Sequence, residues 1–211
     1  MTLLIRLLFS IPAFLLIPLS AAVPTAAEDA KPLGQGEQVP AVSLIGLEGD
    51  TVDLPTLVSE KPTVLIFYRG GWCPFCTKHL SAVQKIMPRI EAMGFQVVGI
   101  SPDRPEKNME AGKKHALNYK LLSDSSADAM KAFGVAFKVP ESLVSKYKNE
   151  YGIDIEGDSG ETHNILPVPA FYVVGTDGVI RFAHFDPNYR KRLEPGKILT
   201  ELKRAKAFEN M

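Results

Sequence analysis

Two cysteines stand in the chain, three residues apart, in Arg69-Gly70-Gly71-Trp72-Cys73-Pro74-Phe75-Cys76. A cysteine becomes chemically useful as its thiolate, the form that attacks a disulfide or a peroxide bond. Pro74 is suited to the first turn of a helix, where its missing N–H costs nothing. The helix predicted to follow places Cys73 at its N-terminus, where unpaired N–H groups and the macrodipole favour the anion. Arg69, four residues earlier on the same loop, brings a cation that lowers the thiol pKa further. Cys76, one turn on, lies on the same side as Cys73. It is placed to attack the first product, whether a mixed disulfide or a sulfenic acid, and so to close a Cys73–Cys76 disulfide. Trp72 is read as a shield over that bond.

Two plainer uses of the pair compete. A bridge closing a loop of about four residues removes little chain entropy, roughly 2 kcal/mol, so a purely structural disulfide is a poor reason for it. A metal site would need Cys73 and Cys76 completed by His79, His115, His163 or His184, and no second Cys or His pair stands at ligand spacing. No metal and no organic cofactor is expected.

The elements that position the pair follow from periodicity. Residues 63–68 (TVLIFY) are rich in β-branched and aromatic side chains and predict a buried strand. Residues 77–93 carry Leu80, Val83, Ile86 and Ile90 at helical spacing, with a kink expected at Pro88. A strand is predicted at 95–101 and a shorter one at 119–122, with helices at 105–117, 127–133, 141–151 and 194–208. Residues 40–57 alternate apolar and polar around Gly49-Asp50, the pattern of a hairpin. Residues 170–174 and 179–184 flank Thr176-Asp177-Gly178 and predict a second hairpin. Residues 152–169 read as irregular. The alternation argues an α/β architecture, a central mixed sheet flanked by helices.

The 211 residues are 45% hydrophobic with a formal net charge of zero, enough for one domain with a core and no pointer to nucleic acid. Arg6 followed by the apolar stretch 7–19 and by small residues at 20–22 and 25–27 reads as a signal peptide over 1–27. Residues 28–36 follow as a flexible leader and 37–211 as the globular domain. Cleavage after Ala27 would leave 23 basic and 24 acidic side chains. Export, with the bacterial periplasm as the expected address, puts the pair where a disulfide persists.

Four stretches of the chain resemble the peroxiredoxin-like proteins of the alkyl hydroperoxide reductase and thiol-specific antioxidant (redoxin) family. They are the opening hairpin VSLIGLEGDTVDL, Phe67-Tyr68 eight residues before Cys76, the run from Val97 to Asp103 with 121–124 and 132–135, and Ala170 to Gly178. The likeness covers about residues 37–205 and implies a thioredoxin-like fold with an N-terminal β-hairpin extension. It implies a thiol-dependent peroxidase or thiol–disulfide oxidoreductase acting on hydroperoxides or protein disulfides. An external thiol donor, thioredoxin-like or a membrane reductase, would restore it. The family's register places the peroxide-attacking sulfur at Cys76, while thioredoxin logic selects Cys73, and the two assignments stand side by side. Cys73 occupies the family's threonine position. Pro169 stands where the family has an arginine and is similar to the cis-proline of thioredoxins. Asp103 and Asp124 resemble family loop positions and are read more simply as helix caps, and Arg190-Lys191-Arg192 as a solvated turn. Two alternatives to the peroxidase are carried: a thioredoxin-type exchange protein and a non-enzymatic copper-binding chaperone.

Overall fold

The computed structural model describes residues 22–209, so the export signal expected over 1–27 lies for the most part outside the described residues. Strand β1 (Ser43–Ile45) and strand β2 (Thr51–Asp53) form the predicted opening hairpin. Helix α1 (Leu54–Glu60) follows directly, in a stretch read from sequence as strand. Asp53 caps it, accepting from the Thr56 amide at 3.0 Å, and a proline fills its first turn. Next come β3 (Thr63–Phe67), α2 (Pro74–Ala92), β4 (Gln96–Ser101), α3 (Pro105–Lys114), β5 (Lys120–Ser123) and α4 (Asp128–Ala132). Helix α2 runs through Pro88 without interruption.

The stretch read as irregular is more ordered than its Gly and Pro content suggested. Strand β6 (Ala136–Lys138) pairs antiparallel with β7 (Ile165–Pro167), and α5 (Glu141–Tyr151) and α6 (Ile155–Ser159) are inserted between them. Strand β8 (Ala170–Val174), strand β9 (Ile180–Phe185) and helix α7 (Pro195–Glu209) complete the chain.

The main sheet has the order β2-β1-β5-β4-β3-β8-β9. Strands β3, β4 and β5 run parallel, and β8 lies antiparallel to β3. All five residues of β3 are buried because helices cover both faces, which is why its sequence is a continuous apolar run. On one face Leu65, Phe67, Val98 and Tyr172 pack with Leu54 and Val58 of α1 and Met130 of α4. On the other, Val64, Ile66, Val97 and Val173 pack with Leu80, Val83 and Ile90 of α2 and Ile198 and Leu202 of α7. Truncating any of these large side chains to alanine costs about 2–5 kcal/mol. A smaller cluster of Val139, Ile155 and Leu166 anchors the α5–α6 insertion.

Residues 28–36, expected as a flexible leader, are instead tied to the body. The Leu33 amide donates to Phe133 O and the Gly36 amide to Ile180 O. The Pro24 carbonyl accepts from the Lys138 amide at 2.7 Å, and Val23 packs against the main core. Backbone pairing of this kind leaves no pattern in a Gly- and Pro-rich stretch, so composition alone suggested a loose segment.

Candidate active site

The chain leaves β3 at the C-terminal end of the sheet and makes a short loop before α2. Tyr68 and Arg69 open it, Gly70 and Gly71 turn it, and Cys73 is the N-cap residue of α2 with φ −84° and ψ 113°. Pro74 starts the helix as expected. The Thr77 amide closes the first turn on the Cys73 carbonyl at 3.0 Å. Gly70 has φ +147°, and a Cβ there would lie 2.3 Å from the Trp72 indole nitrogen, so the turn requires glycine.

Both sulfurs are present as free thiols and both residues are buried, Cys73 1% and Cys76 0% exposed. Their ionisation is split. Cys73 is lowered from the ordinary 9.0 to about 6, first by the Cys76 thiol donating to it. The Cys76 amide, short of a full capping hydrogen bond, and the guanidinium groups of Arg69 and Arg192 act in the same direction, against burial. Cys76 is pushed well above its ordinary value, by burial first and then by the Cys73 sulfur beside it. The pair therefore holds one negative charge on Cys73 and one proton on Cys76, in the direction expected for a helix N-cap.

Two arginines carry the positive charge. Arg69 is 4% exposed, and its Nη2 donates to the Tyr147 hydroxyl at 2.5 Å. Its guanidinium lies 5.1 Å from the Trp72 ring, 5.5 Å from Tyr147 and 4.3 Å from Tyr189, a cage of aromatic faces that holds a cation without a carboxylate. Arg192 was expected in a solvated turn. Its Nη2 instead donates to Cys76 Sγ at 3.2 Å, and its Nη1 is held by the Tyr189 and Lys191 carbonyls. Nothing in the local sequence distinguished Arg192 from its neighbours. The contact spans 116 positions and exists only because the segment after β9 folds back over α2.

Tyr147, on the α5 insertion, is a second side chain that the sequence reading missed. Its ring lies 6.1 Å from Trp72 and links the insertion to the thiol loop. Trp72 thus packs between the loop and the insertion. The Tyr189 ring meets Phe75 edge-on at 5.7 Å. Pro169, at the start of β8, faces a cavity of about 450 Å³ lined also by Arg69, Tyr147, Pro167 and Tyr189. Among the described residues no peptide bond is cis, so the expected cis conformation of Pro169 is not adopted. Val168 and Pro169 lead straight from β7 into β8 with every side chain buried, and the extended trans path joins the two strands.

Of the two family-like aspartates, Asp124 does cap α4, accepting from Ala129 and Met130 at 3.0 and 2.7 Å. Asp103 does not cap α3, and its Oδ2 reaches the thiol loop to accept the Gly71 amide at 2.6 Å. Two of the histidines considered as ligands are engaged by backbone: His79 Nε2 by Leu193 O, and His163 by Ser125 O and the Ile165 amide. Among the described residues no group of three or more His, Cys, Asp or Glu side chains converges as metal ligands would, and no helix is long and apolar enough to cross a membrane.

The chain is 33% identical over 104 residues to peroxiredoxin Bcp of Escherichia coli, covering 49% of this chain and 66% of that protein. It is 33% identical over 169 residues to chloroplastic peroxiredoxin Q of Populus jackii, covering 80% of this chain and 66% of that one. The match thus spans just under two thirds of these relatives' own length. Among solved structures, peroxidoxin BcpB of Mycobacterium tuberculosis superposes with a TM-score of 0.63 at 22% identity, covering 82% of this chain and 97% of that one. Reduced Prx3 of Vibrio vulnificus in complex with h2o2 gives 0.66 at 17%, covering 81% and 99%. These likenesses support the thioredoxin-like fold expected from the sequence. Residues 35–183 match the AhpC/TSA family, and the chain belongs to that family.

Proposed function

We propose that this protein is an exported thiol peroxidase that reduces hydroperoxides with Cys73 and Cys76. The observation that carries the reading is the charge arrangement at the pair: a Cys73 sulfur favoured as the anion, beside a protonated Cys76 thiol and two guanidinium groups. The Cys73 thiolate attacks the terminal oxygen of the peroxide, the O–O bond breaks, and Cys73 becomes the sulfenic acid while the departing alkoxide or hydroxide takes a proton from solvent and leaves as alcohol or water. Cys76 then attacks the Cys73 sulfur as its proton is lost, and hydroxide departs as water. Two thiols and one hydroperoxide give one disulfide, one alcohol and one water. Arg192, already on Cys76 Sγ, favours the thiolate needed for this second step. An external dithiol, thioredoxin-like or held by a membrane reductase, returns the pair to the reduced state. The Vibrio vulnificus relative, described as a complex with h2o2, supports a peroxide as the oxidant.

Thiol exchange with protein disulfides is the second reading. It is disfavoured by the near-complete burial of both sulfurs, which a small peroxide tolerates better than a folded partner. Export rests on the leading apolar segment and is tested by sequencing the N-terminus of the protein recovered from the periplasmic fraction.

Stopped-flow mixing of the reduced protein with hydrogen peroxide, followed by Trp72 fluorescence, tests the peroxidase reading. Fast stoichiometric oxidation is expected, abolished in Cys73→Ser and halted at the sulfenic acid in Cys76→Ser. Slow, sub-stoichiometric oxidation by peroxide combined with fast reduction of a protein disulfide would replace it by the exchange reading.

A further inference from the structure

Asp103 is a buried carboxyl that the peroxidase chemistry above does not use. It sits just beyond the end of β4, 2% exposed, with no cation in hydrogen-bond contact. Its Oδ2 accepts the Gly71 amide at 2.6 Å, and the Trp72 indole N–H, short of a full hydrogen bond, is a second donor beside it that favours the charged form. The loop is wrapped closely around it. A Cβ on Gly70 would lie 2.7 Å from Asp103 Oδ1, and one on Gly71 would lie 2.6 Å from Ala111 Cβ on α3. Behind it, the Asp103 amide donates to Ser101 Oγ, the Asp103 carbonyl accepts from Asn108 Nδ2, and Asn108 Oδ1 accepts from both Ser101 Oγ and the Tyr68 hydroxyl. The acceptor is therefore mounted on a fully paired polar network, while the two donors it faces belong to the loop that carries Arg69 and Cys73.

We propose that Asp103 is the positioning residue of the thiol loop: by holding the Gly71 amide and facing the Trp72 indole N–H it fixes Arg69 against the pair, so its charge state sets how reactive the pair is. The chain of contacts is short. Asp103 faces the Trp72 indole N–H, the Trp72 ring faces the Arg69 guanidinium, and Arg69 contributes to the anionic state of Cys73. An ionised carboxylate offers acceptors to both donors, whereas a protonated one gives up part of that capacity to its own hydroxyl. Burial and the nearby Asp158 carboxylate raise Asp103 from 3.8 to about 7, against Gly71 and Lys107, so the change falls in the neutral range. The groups facing it are Lys107, Glu110 and Lys114 on α3, Asp158 on α6, and Tyr68 at the end of β3. Lys107 is shared with Glu110 and Asp158, which leaves Asp103 without a dedicated counter-ion. An open recess of about 200 Å³, bordered by Gly71, Trp72, Asp103 and Lys107, gives protons access.

This inference rests on the thiol pair being the reactive centre, and the test separates the two. Trp72 is the only tryptophan, so its emission reports the contact directly. In a Cys73→Ser, Cys76→Ser background, where no thiolate can quench it, Trp72 emission should titrate with a midpoint near 7, and Asp103→Asn should remove that transition. With the cysteines restored, Asp103→Asn should slow alkylation of Cys73 at pH 8 by up to about tenfold, the loss of thiolate that a rise of its midpoint from about 6 toward the ordinary 9.0 produces, and remove the step near neutrality from its pH profile. Should Asp103→Asn fail to fold, the Gly71 amide in the unsubstituted protein must shift with the same midpoint as the Asp103 carboxyl in an NMR titration. A Trp72 transition that survives Asp103→Asn, or a Gly71 amide that ignores the carboxyl, overturns the inference while leaving the peroxidase intact. A pair inert to alkylation in the unsubstituted protein would instead remove the peroxidase reading.

Discussion

Replacing Cys76 by alanine removes the largest of the influences that lower Cys73, the thiol that donates to its sulfur. A hydrogen bond to a charged group is worth about 1.5–3 kcal/mol, and one pKa unit corresponds to about 1.4 kcal/mol. Cys73 should therefore rise by about one to two units from its starting value of about 6, leaving a midpoint between about 7 and 8. At pH 6 the thiolate fraction then falls from one half to between about a tenth and a hundredth. The rate of alkylation by iodoacetamide should drop about five- to fiftyfold. Cys76→Ser is the control, because its hydroxyl still donates and should keep most of the shift. The assay is the pH dependence of the alkylation rate, cross-checked by thiolate absorbance in the ultraviolet. If Cys76→Ala leaves the midpoint at its original value, the donor is irrelevant and the helix terminus and arginines alone hold the anion. A midpoint near 9 in the unsubstituted protein would refute the whole account of the pair.

Three further expectations follow from the same geometry. Arg192→Met keeps an apolar stem but loses the guanidinium on Cys76 Sγ, so disulfide closure should slow by at least about tenfold and the sulfenic acid should persist, as read by dimedone labelling and mass spectrometry; unchanged closure would show the contact to be incidental. Gly71→Ala drives a Cβ to 2.6 Å from Ala111 Cβ and should cost about 1–3 kcal/mol, a loss of several degrees in a thermal melt. Asp103, raised from 3.8 to about 7, binds its proton more tightly folded than unfolded, so its burial penalty is fully present above pH 7 and is relieved as pH falls toward 4. Relative to Asp103→Asn, the unsubstituted protein should gain up to about 4 kcal/mol between pH 8 and pH 4 in urea unfolding. A flat difference across that range would show that the carboxyl is not held in the raised state.

Much of this site was legible because its parts are local. The apolar run at 63–67 could only be a strand buried on both faces, and Pro74 could only open the helix after it. Those two facts placed Cys73 at an N-terminus and Cys76 one turn along. Helix α1 was missed because Thr51 to Leu57 alternates like a strand, and the cap that decides otherwise is a single contact from Asp53 to Thr56. Helix α5 was predicted at 141–151, but α6 and the pairing of β6 with β7 were missed because these elements are short and their core is only Val139, Ile155 and Leu166 with their partly buried neighbours.

What the amino-acid order determined by itself was the thiol pair, its position at the start of α2 and the α/β frame around it, since each depends on residues within a few turns of one another. Only the tertiary structure decided which charges reach the sulfurs and how the loop is held. Arg192 lies 116 positions from Cys76 and Tyr147 lies 78 from Arg69, and Asp103 lies 32 from Gly71. No local propensity encodes such meetings. They arise when helices and loops from distant parts of the chain close over the C-terminal end of one sheet, where desolvation makes each of them strong.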